Sequence, residues 1–170
     1  RDGIPNPIWM PHAVEPLAYP YIASAKKYDV CFIGHINSEN RIEALDRLFK
    51  EFPNFYYGQR LFEEAAEKFC QSKIVFNISI KDDLNMRTFE GLACKRLVLT
   101  EDVPGVRDHF VDGKHLILFK TIDEAIEKAR WVLKDDGFRN AVAEEGYKEF
   151  LAKHTYMHRV KTILKTALSW

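Results

Sequence analysis

The sequence has no excess of either charge: 25 basic residues face 25 acidic ones. A duplex-binding surface needs a surplus of Lys and Arg to displace counterions from phosphates, so no nucleic-acid partner is expected and any phosphate site must be local. Cysteine is scarce. Cys31, Cys70 and Cys94 are an odd number at no short spacing, which argues against a disulfide framework and for a reducing, cytoplasmic setting. No apolar run approaches the roughly 20 residues that span a bilayer, and the N-terminus lacks the basic-then-apolar order of a signal peptide. The signatures of several reaction classes are missing too. There is no serine elbow, no evident Cys and His pair, no phosphate loop with Lys and Ser or Thr, and no Gly-x-Gly-x-x-Gly turn after the first strand. The chain begins at Arg1 rather than Met and reads as a fragment, a processed product or a piece trimmed at a domain boundary.

What is present is the composition of a globular protein, with 46% apolar and 29% charged residues in a length of 170 that suits one domain. Residues 1–27 hold five of the seven prolines and show no sustained period. They predict an extended connector, and Ile4, Ile8, Trp9, Met10, Tyr19 and Tyr21 predict that it lies against the domain. From residue 28 apolar runs alternate with amphipathic stretches. Strands are predicted at 30–33, 55–58, 73–78, 96–100 and 116–119. Helices are predicted after a Ser38 cap until Pro53, over 61–71, 86–94 and 106–110, after a Thr121/Glu124 capping box, and over 137–152 and 156–168.

Strands separated by helices in this way predict a doubly wound, parallel, Rossmann-like α/β sheet. In such sheets ligands bind at the carboxyl ends of strands, near the point where strand order reverses. Three loops are thereby selected, at 34–41, 58–61 and 79–87.

The third loop leads from Asn77 through Lys81-Asp82-Asp83-Leu84-Asn85 into Met86-Arg87-Thr88-Phe89-Glu90. A helix N-terminus offers free amides to an anion, and Arg87 there opposes the helix dipole, which suggests a phosphate nearby. Glu90, one turn on, suits vicinal ribose hydroxyls. The same spacing also describes an exposed i,i+3 ion pair. In the second loop Gln59 can read a base edge and Arg60 can stack on it or reach a phosphate, or both are solvated residues at a helix start. In the first loop Gly34 permits close approach to the backbone, and His35 is either a phosphate or sugar donor or a plain loop residue. His154 and His158 share a helix face at a zinc-like spacing, but no third ligand accompanies them, so packing is the expected role.

The ordered set Phe32-Ile33-Gly34 with Arg41, Asn85 to Cys94, Leu99-Thr100 with Val103-Pro104-Gly105, Asp112-Gly113-Lys114, and His154 to Arg159 resembles the C-terminal domain of GT-B glycosyltransferases, group 1, nearest the CgeB-like branch. The resemblance runs over about 28–165. It implies a donor site for a nucleoside-diphosphate sugar without a metal ion, facing a cleft whose other wall is a separate N-terminal, acceptor-binding domain. It implies retention of anomeric configuration. It places Gly34, His35, Arg41, Gln59, Arg60, Asn85, Met86, Arg87, Thr88 and Glu90 at the donor, with Arg87 and Asp82 as the catalytic candidates. Glu90 matches the second acid of the family's pair; the first falls on Asp82, one methylene shorter, with Asp83 beside it. Lys95 stands where relatives place Gly, so a differently built turn into the fourth strand is expected. A non-catalytic nucleotide-binding module and a scaffold without ligand are the rival readings.

Overall fold

A computed structural model describes residues 8–168, so Ile4, Pro5 and Pro7 of the connector lie outside the described residues. The element order is β1 (Tyr28–Ile33), α1 (Glu39–Glu51), β2 (Phe55–Gly58), α2 (Phe62–Cys70), β3 (Ser72–Asn77), α3 (Met86–Ala93), β4 (Leu97–Glu101), α4 (Val106–His109), β5 (Ile117–Phe119), α5 (Ile122–Lys134), α6 (Asp136–Lys153) and α7 (Tyr156–Leu168). The five strands are all parallel in the order β2-β1-β3-β4-β5. The chain therefore starts mid-sheet, adds β2 on one side and crosses back to add β3 on the other. That reversal between β1 and β3 opens a crevice at their carboxyl ends.

Both faces of the sheet are covered, which is why the strands read as continuous apolar runs rather than alternating ones. Cys31, Ile33, Val75, Val98 and Leu118 pack on one side with Phe69 of α2, Phe89 and Leu92 of α3 and Phe150 of α6. Val30, Phe32, Ile74, Phe76, Leu97 and Leu99 pack on the other with Leu45 and Leu48 of α1 and Ala125, Ala129 and Val132 of α5. All three cysteines are buried free thiols. Ser38 caps α1 by accepting from the Arg41 amide at 3.4 Å. Thr121 caps α5 at 3.2 Å, while Glu124 reaches back to the Lys120 amide at 2.7 Å.

The turn expected to be rebuilt at Lys95 is not. The Lys95 amide donates to Leu92 O at 2.9 Å and the Arg96 amide to Gly91 O at 3.1 Å, the bonding of a Schellman motif. Lys95 takes the left-handed conformation, φ 55°, that glycine would have taken. Its ammonium pairs with Glu144 at 2.5 Å, a contact glycine would not offer.

The connector packs against the domain, with Ala13, Val14 and Tyr19 buried and the Ile22 amide donating to Cys70 Sγ at 3.2 Å. Arg159 at the start of α7 holds it by donating to Pro11 O at 3.0 Å and His12 O at 2.9 Å. The same guanidinium donates to Lys153 O at 3.0 Å and meets His154 Nδ1 at 3.1 Å. His154 is buried against Phe110 and Phe89, with ring centroids at 4.8 and 5.5 Å. His158 bonds Thr155 instead, at 2.8 Å. Tyr156, between them, is 46% exposed.

Burial, followed by the positive charge of Arg159, pushes the His154 imidazole down to about 3. The neutral ring is therefore the folded form. Its stabilising effect is complete above the unfolded value of about 6.5 and is lost as pH falls toward 3. We expect His154 to cost about 2 kcal/mol of stability between pH 7 and pH 5. Urea unfolding at the two pH values should show this loss in the native chain and a smaller one in His154→Gln; equal losses would contradict it.

Candidate functional site

The crevice at the sheet reversal holds a cavity of about 740 Å³. All three loops selected from the sequence line it. Gly34 and His35 come from the β1–α1 connection and Arg41 from the first turn of α1, Gln59 and Arg60 from the β2–α2 loop, and Asn85, Met86, Arg87 and Glu90 from the start of α3.

Arg87 lies at the floor. Its Nε donates to Ile33 O, and its Nη1 donates to Asn77 Oδ1 at 2.8 Å. The guanidinium carbon lies 4.2 Å from the centroid of the Phe32 ring. Nη2 lies over Gly34, where an added Cβ would collide with it. Gly34 is thus required by close approach of a side chain, and its φ of 153° is one other residues avoid. Arg41, buried where Arg87 is half-buried, donates to His35 O at 2.9 Å and to Ile78 O at 2.6 Å. Its Nε is buried without a partner among the described residues.

Neither guanidinium has a carboxylate within ion-pairing distance among the described residues. Desolvation and then the neighbouring Arg41 charge push Arg87 down to about 10, leaving it cationic at neutral pH. Burial likewise lowers Arg41. Two desolvated cations side by side are costly without an anion. Arg87 and Glu90 do not form the exposed i,i+3 pair that their spacing allowed. Burial raises the Glu90 carboxyl, against the opposing pull of the Tyr19 hydroxyl and Arg87.

Two candidates from the sequence face elsewhere. Thr88 is fully buried, because the residue after Arg87 on a helix is turned about 100° toward the sheet, and its Oγ1 accepts from Asn77 Nδ2 at 3.2 Å. Asp82 lies off the cavity, on an adjoining depression with Trp9, Pro104 and Asp108. The physical reason is a tight turn: Ser79 Oγ accepts from the Asp83 amide at 2.8 Å and donates to Asp83 Oδ1 at 2.5 Å. This brings Asp83 to the cavity wall and turns Asp82, with φ 49°, away. The α3 amides are also less open than expected. Asn85 Oδ1 accepts from the Arg87 amide at 3.1 Å, occupying one of them. Gln59 and Arg60 are exposed, Gln59 donating to Tyr57 Oη at 3.1 Å and Arg60 to Gln59 O at 3.0 Å.

The cavity also takes His12 and Tyr19 from the connector, and Leu61, Ile80 and Lys81 from the loops. No local spacing announces His12 or Tyr19. Among the described residues no cluster of three His, Cys, Asp or Glu could hold a metal ion, and no helix is long and apolar enough to cross a membrane.

Residues 22–165 match the family described as glycosyl transferase-like. The chain belongs to that family. Solved glycosyltransferases share its fold. Sucrose-phosphate synthase from Thermosynechococcus elongatus superposes with a TM-score of 0.74 at 12% identity, over 94% of this chain and 52% of that one. The C-terminal domain of LpcC, a group 1 glycosyl transferase from Francisella tularensis, gives 0.66 at 16% identity, over 84% and 98%. Anabaena HepE in complex with UDP gives 0.70 at 12% identity, over 85% and 50%. The chain thus spans about half the length of the first and third and nearly all of the isolated C-terminal domain. The fold is that of a GT-B group 1 glycosyltransferase domain. No curated protein matches the glycosyl transferase-like chain in sequence.

Proposed function

We propose that this domain binds a nucleoside-diphosphate sugar in the crevice and stabilises the departing diphosphate, as the donor half of a glycosyltransferase. The observation that carries this reading is the pair of desolvated guanidinium groups, Arg87 and Arg41, beside the α3 N-terminus with no carboxylate in ion-pair contact among the described residues, Glu90, Asp83 and Glu101 acting on them only from further off. A diphosphate supplies the missing charge, and charge building on it as the glycosidic bond breaks meets donors already in place.

Arg41 spends its terminal nitrogens on two carbonyls, so it contributes field and loop rigidity, while Arg87 Nη2 and the Met86 amide are the direct donors. Glu90 receives the ribose hydroxyls. Gln59 and Arg60 take the base. The UDP complex of HepE, a protein of the same fold, supports this class of ligand. Asp83 takes the sugar-contacting role first assigned to Asp82, because it alone of the two lies on the wall.

An N-terminal acceptor-binding domain closes the cleft, and retention, a CgeB-like subtype, hexosyl transfer, independence from metal and a cytoplasmic location complete the proposal. The isolated chain should then bind nucleoside diphosphate without transferring sugar. A radiolabelled-donor assay tests this with residues 1–170 alone and with the full-length parent. Transfer by the parent only is the expected result; efficient transfer to a defined acceptor by residues 1–170 would contradict the division of labour.

A further inference from the structure

The depression that adjoins the donor cavity differs from it in chemistry. Its volume is about 530 Å³, and Trp9, His12, Asp82, Asp83, Gly105 and Asp108 are among the residues that line it. Among the described residues no Lys or Arg stands on its wall, so nothing there suits a phosphate. Its acids do not form a cluster that could hold a metal ion either.

Trp9 leaves 64% of its surface in solvent, yet the ring is fixed from behind. One face stacks on His109, with centroids 5.7 Å apart and 20° between the planes. His109 is in turn held edge-on by His154 at 5.5 Å and by Phe110 at 6.4 Å. The six-membered ring of the indole lies over Gly105, where an added Cβ would stand 3.6 Å from it. With one face taken, the exposure falls on the other. Asp82 and Asp108 share the depression with this ring, and neither carboxylate has a hydrogen bond or ion pair among the described residues. Both keep their full acceptor capacity.

A ligand that suits this surface is uncharged, with a C–H face and hydroxyl edges. The face of an aromatic ring is negative and attracts the polarised C–H groups on one side of a pyranose, while a carboxylate accepts from two neighbouring hydroxyls. We propose that the depression is a saccharide subsite, in which Trp9 carries the pyranose ring of the acceptor and Asp82 and Asp108 accept from its hydroxyls. The assignment to the acceptor rests on the donor-site reading given above. His12 and Asp83 line both the depression and the donor cavity, so a ring on Trp9 lies beside the place where the donor's sugar is held. The connector thereby brings part of the acceptor site to this domain.

The test is a titration of the 170-residue chain with methyl glycosides of glucose, galactose, mannose and N-acetylglucosamine, followed by NMR at the Trp9 indole N–H. At least one glycoside should shift this signal saturably. In variants, binding is read by saturation transfer to the glycoside's own protons. Trp9→Ala and Asp108→Ala should each weaken it about tenfold, the worth of a stacked ring or of one hydrogen bond to an ionised group. Trp9→Tyr should keep most of the affinity. Near-UV circular dichroism checks the packing of each variant, and Asp108→Ala, a change to an exposed side chain, remains a test if Trp9→Ala disturbs the connector.

No shift of the Trp9 indole with any glycoside would overturn the proposal, as would equal affinities in the native chain and both alanine variants. A loss of affinity for uridine diphosphate glucose or guanosine diphosphate mannose in Trp9→Ala, beyond any loss for the bare diphosphate, would give the ring to the donor's sugar and overturn the acceptor assignment. Failure of the donor-site reading looks different: the native chain then binds no nucleoside diphosphate, and the glycoside shift at Trp9 stands or falls on its own.

Discussion

Replacing Arg87 with methionine should lower nucleoside-diphosphate affinity about a hundredfold while leaving the domain folded. The two effects separate because they have different origins. Methionine fills the space over the Phe32 ring, and sulfur tolerates that neighbour well. The substitution leaves Ile33 O and Asn77 Oδ1 each short of one donor, but it also removes a desolvated charge, and the two contributions oppose one another. Binding has no such compensation. Loss of hydrogen bonds from a cation to phosphate costs about 1.5–3 kcal/mol each. In a longer chain carrying the proposed acceptor-binding domain, the same change should lower kcat by roughly a hundredfold to a thousandfold, the usual consequence of removing one preorganised donor from a developing oxyanion. Urea unfolding and a binding titration on one protein preparation check both halves. A large fall in stability with affinity retained would mean that Arg87 is a structural residue.

Asn77→Leu should have the opposite balance. Asn77 is buried at the carboxyl end of β3, in register with Thr100 of β4. Its Nδ2 donates to Thr100 Oγ1 at 2.9 Å and to Thr88 Oγ1 at 3.2 Å, while Oδ1 accepts from Arg87 Nη1. One amide thus satisfies two buried hydroxyls and orients the cation of the site. Leucine has a similar volume and none of these bonds. Leaving a desolvated guanidinium nitrogen and two hydroxyls without their partner should cost about 3–5 kcal/mol. For a domain of this size that lowers Tm by about 10 °C or more. Diphosphate affinity should fall as well, since Arg87 is no longer held. A Tm within a degree or two of the native value, read by differential scanning calorimetry, would show that this network is dispensable.

The sheet and its helices were legible because the physical signals are local and agree. A strand covered on both faces must be apolar throughout, and the first two runs here stop at Gly34 and Gly58. The three cavity loops were legible for a topological reason that needs no side-chain detail, since parallel strands present their carboxyl ends on one edge. What failed to show was orientation within a loop. Asp82 and Asp83 are chemically alike, and only the Ser79 turn decides which one reaches the cavity. Arg41 read as a phosphate ligand because spacing cannot show that its terminal nitrogens are already bonded to His35 O and Ile78 O. Thr88 read as a site residue because its neighbours on the helix line the cavity. Tyr19 and His12 were invisible as cavity-lining residues, because the connector that carries them has no period. Lys95 broke the expected glycine pattern and nonetheless adopts the glycine conformation, so identity at a turn did not dictate its geometry.

The claim at the centre of this account is that Arg87 and Arg41, which have no ion-pair contact of their own among the described residues, receive a diphosphate. Heteronuclear NMR titration of the 170-residue chain with uridine, guanosine and adenosine diphosphates tests it most directly. The account predicts saturable shifts at Gly34, Asn85, Met86 and Arg87 with at least one of the three, weakened by salt and abolished in Arg87→Met. No shift with any of them, or shifts that persist unchanged in Arg87→Met, would contradict it.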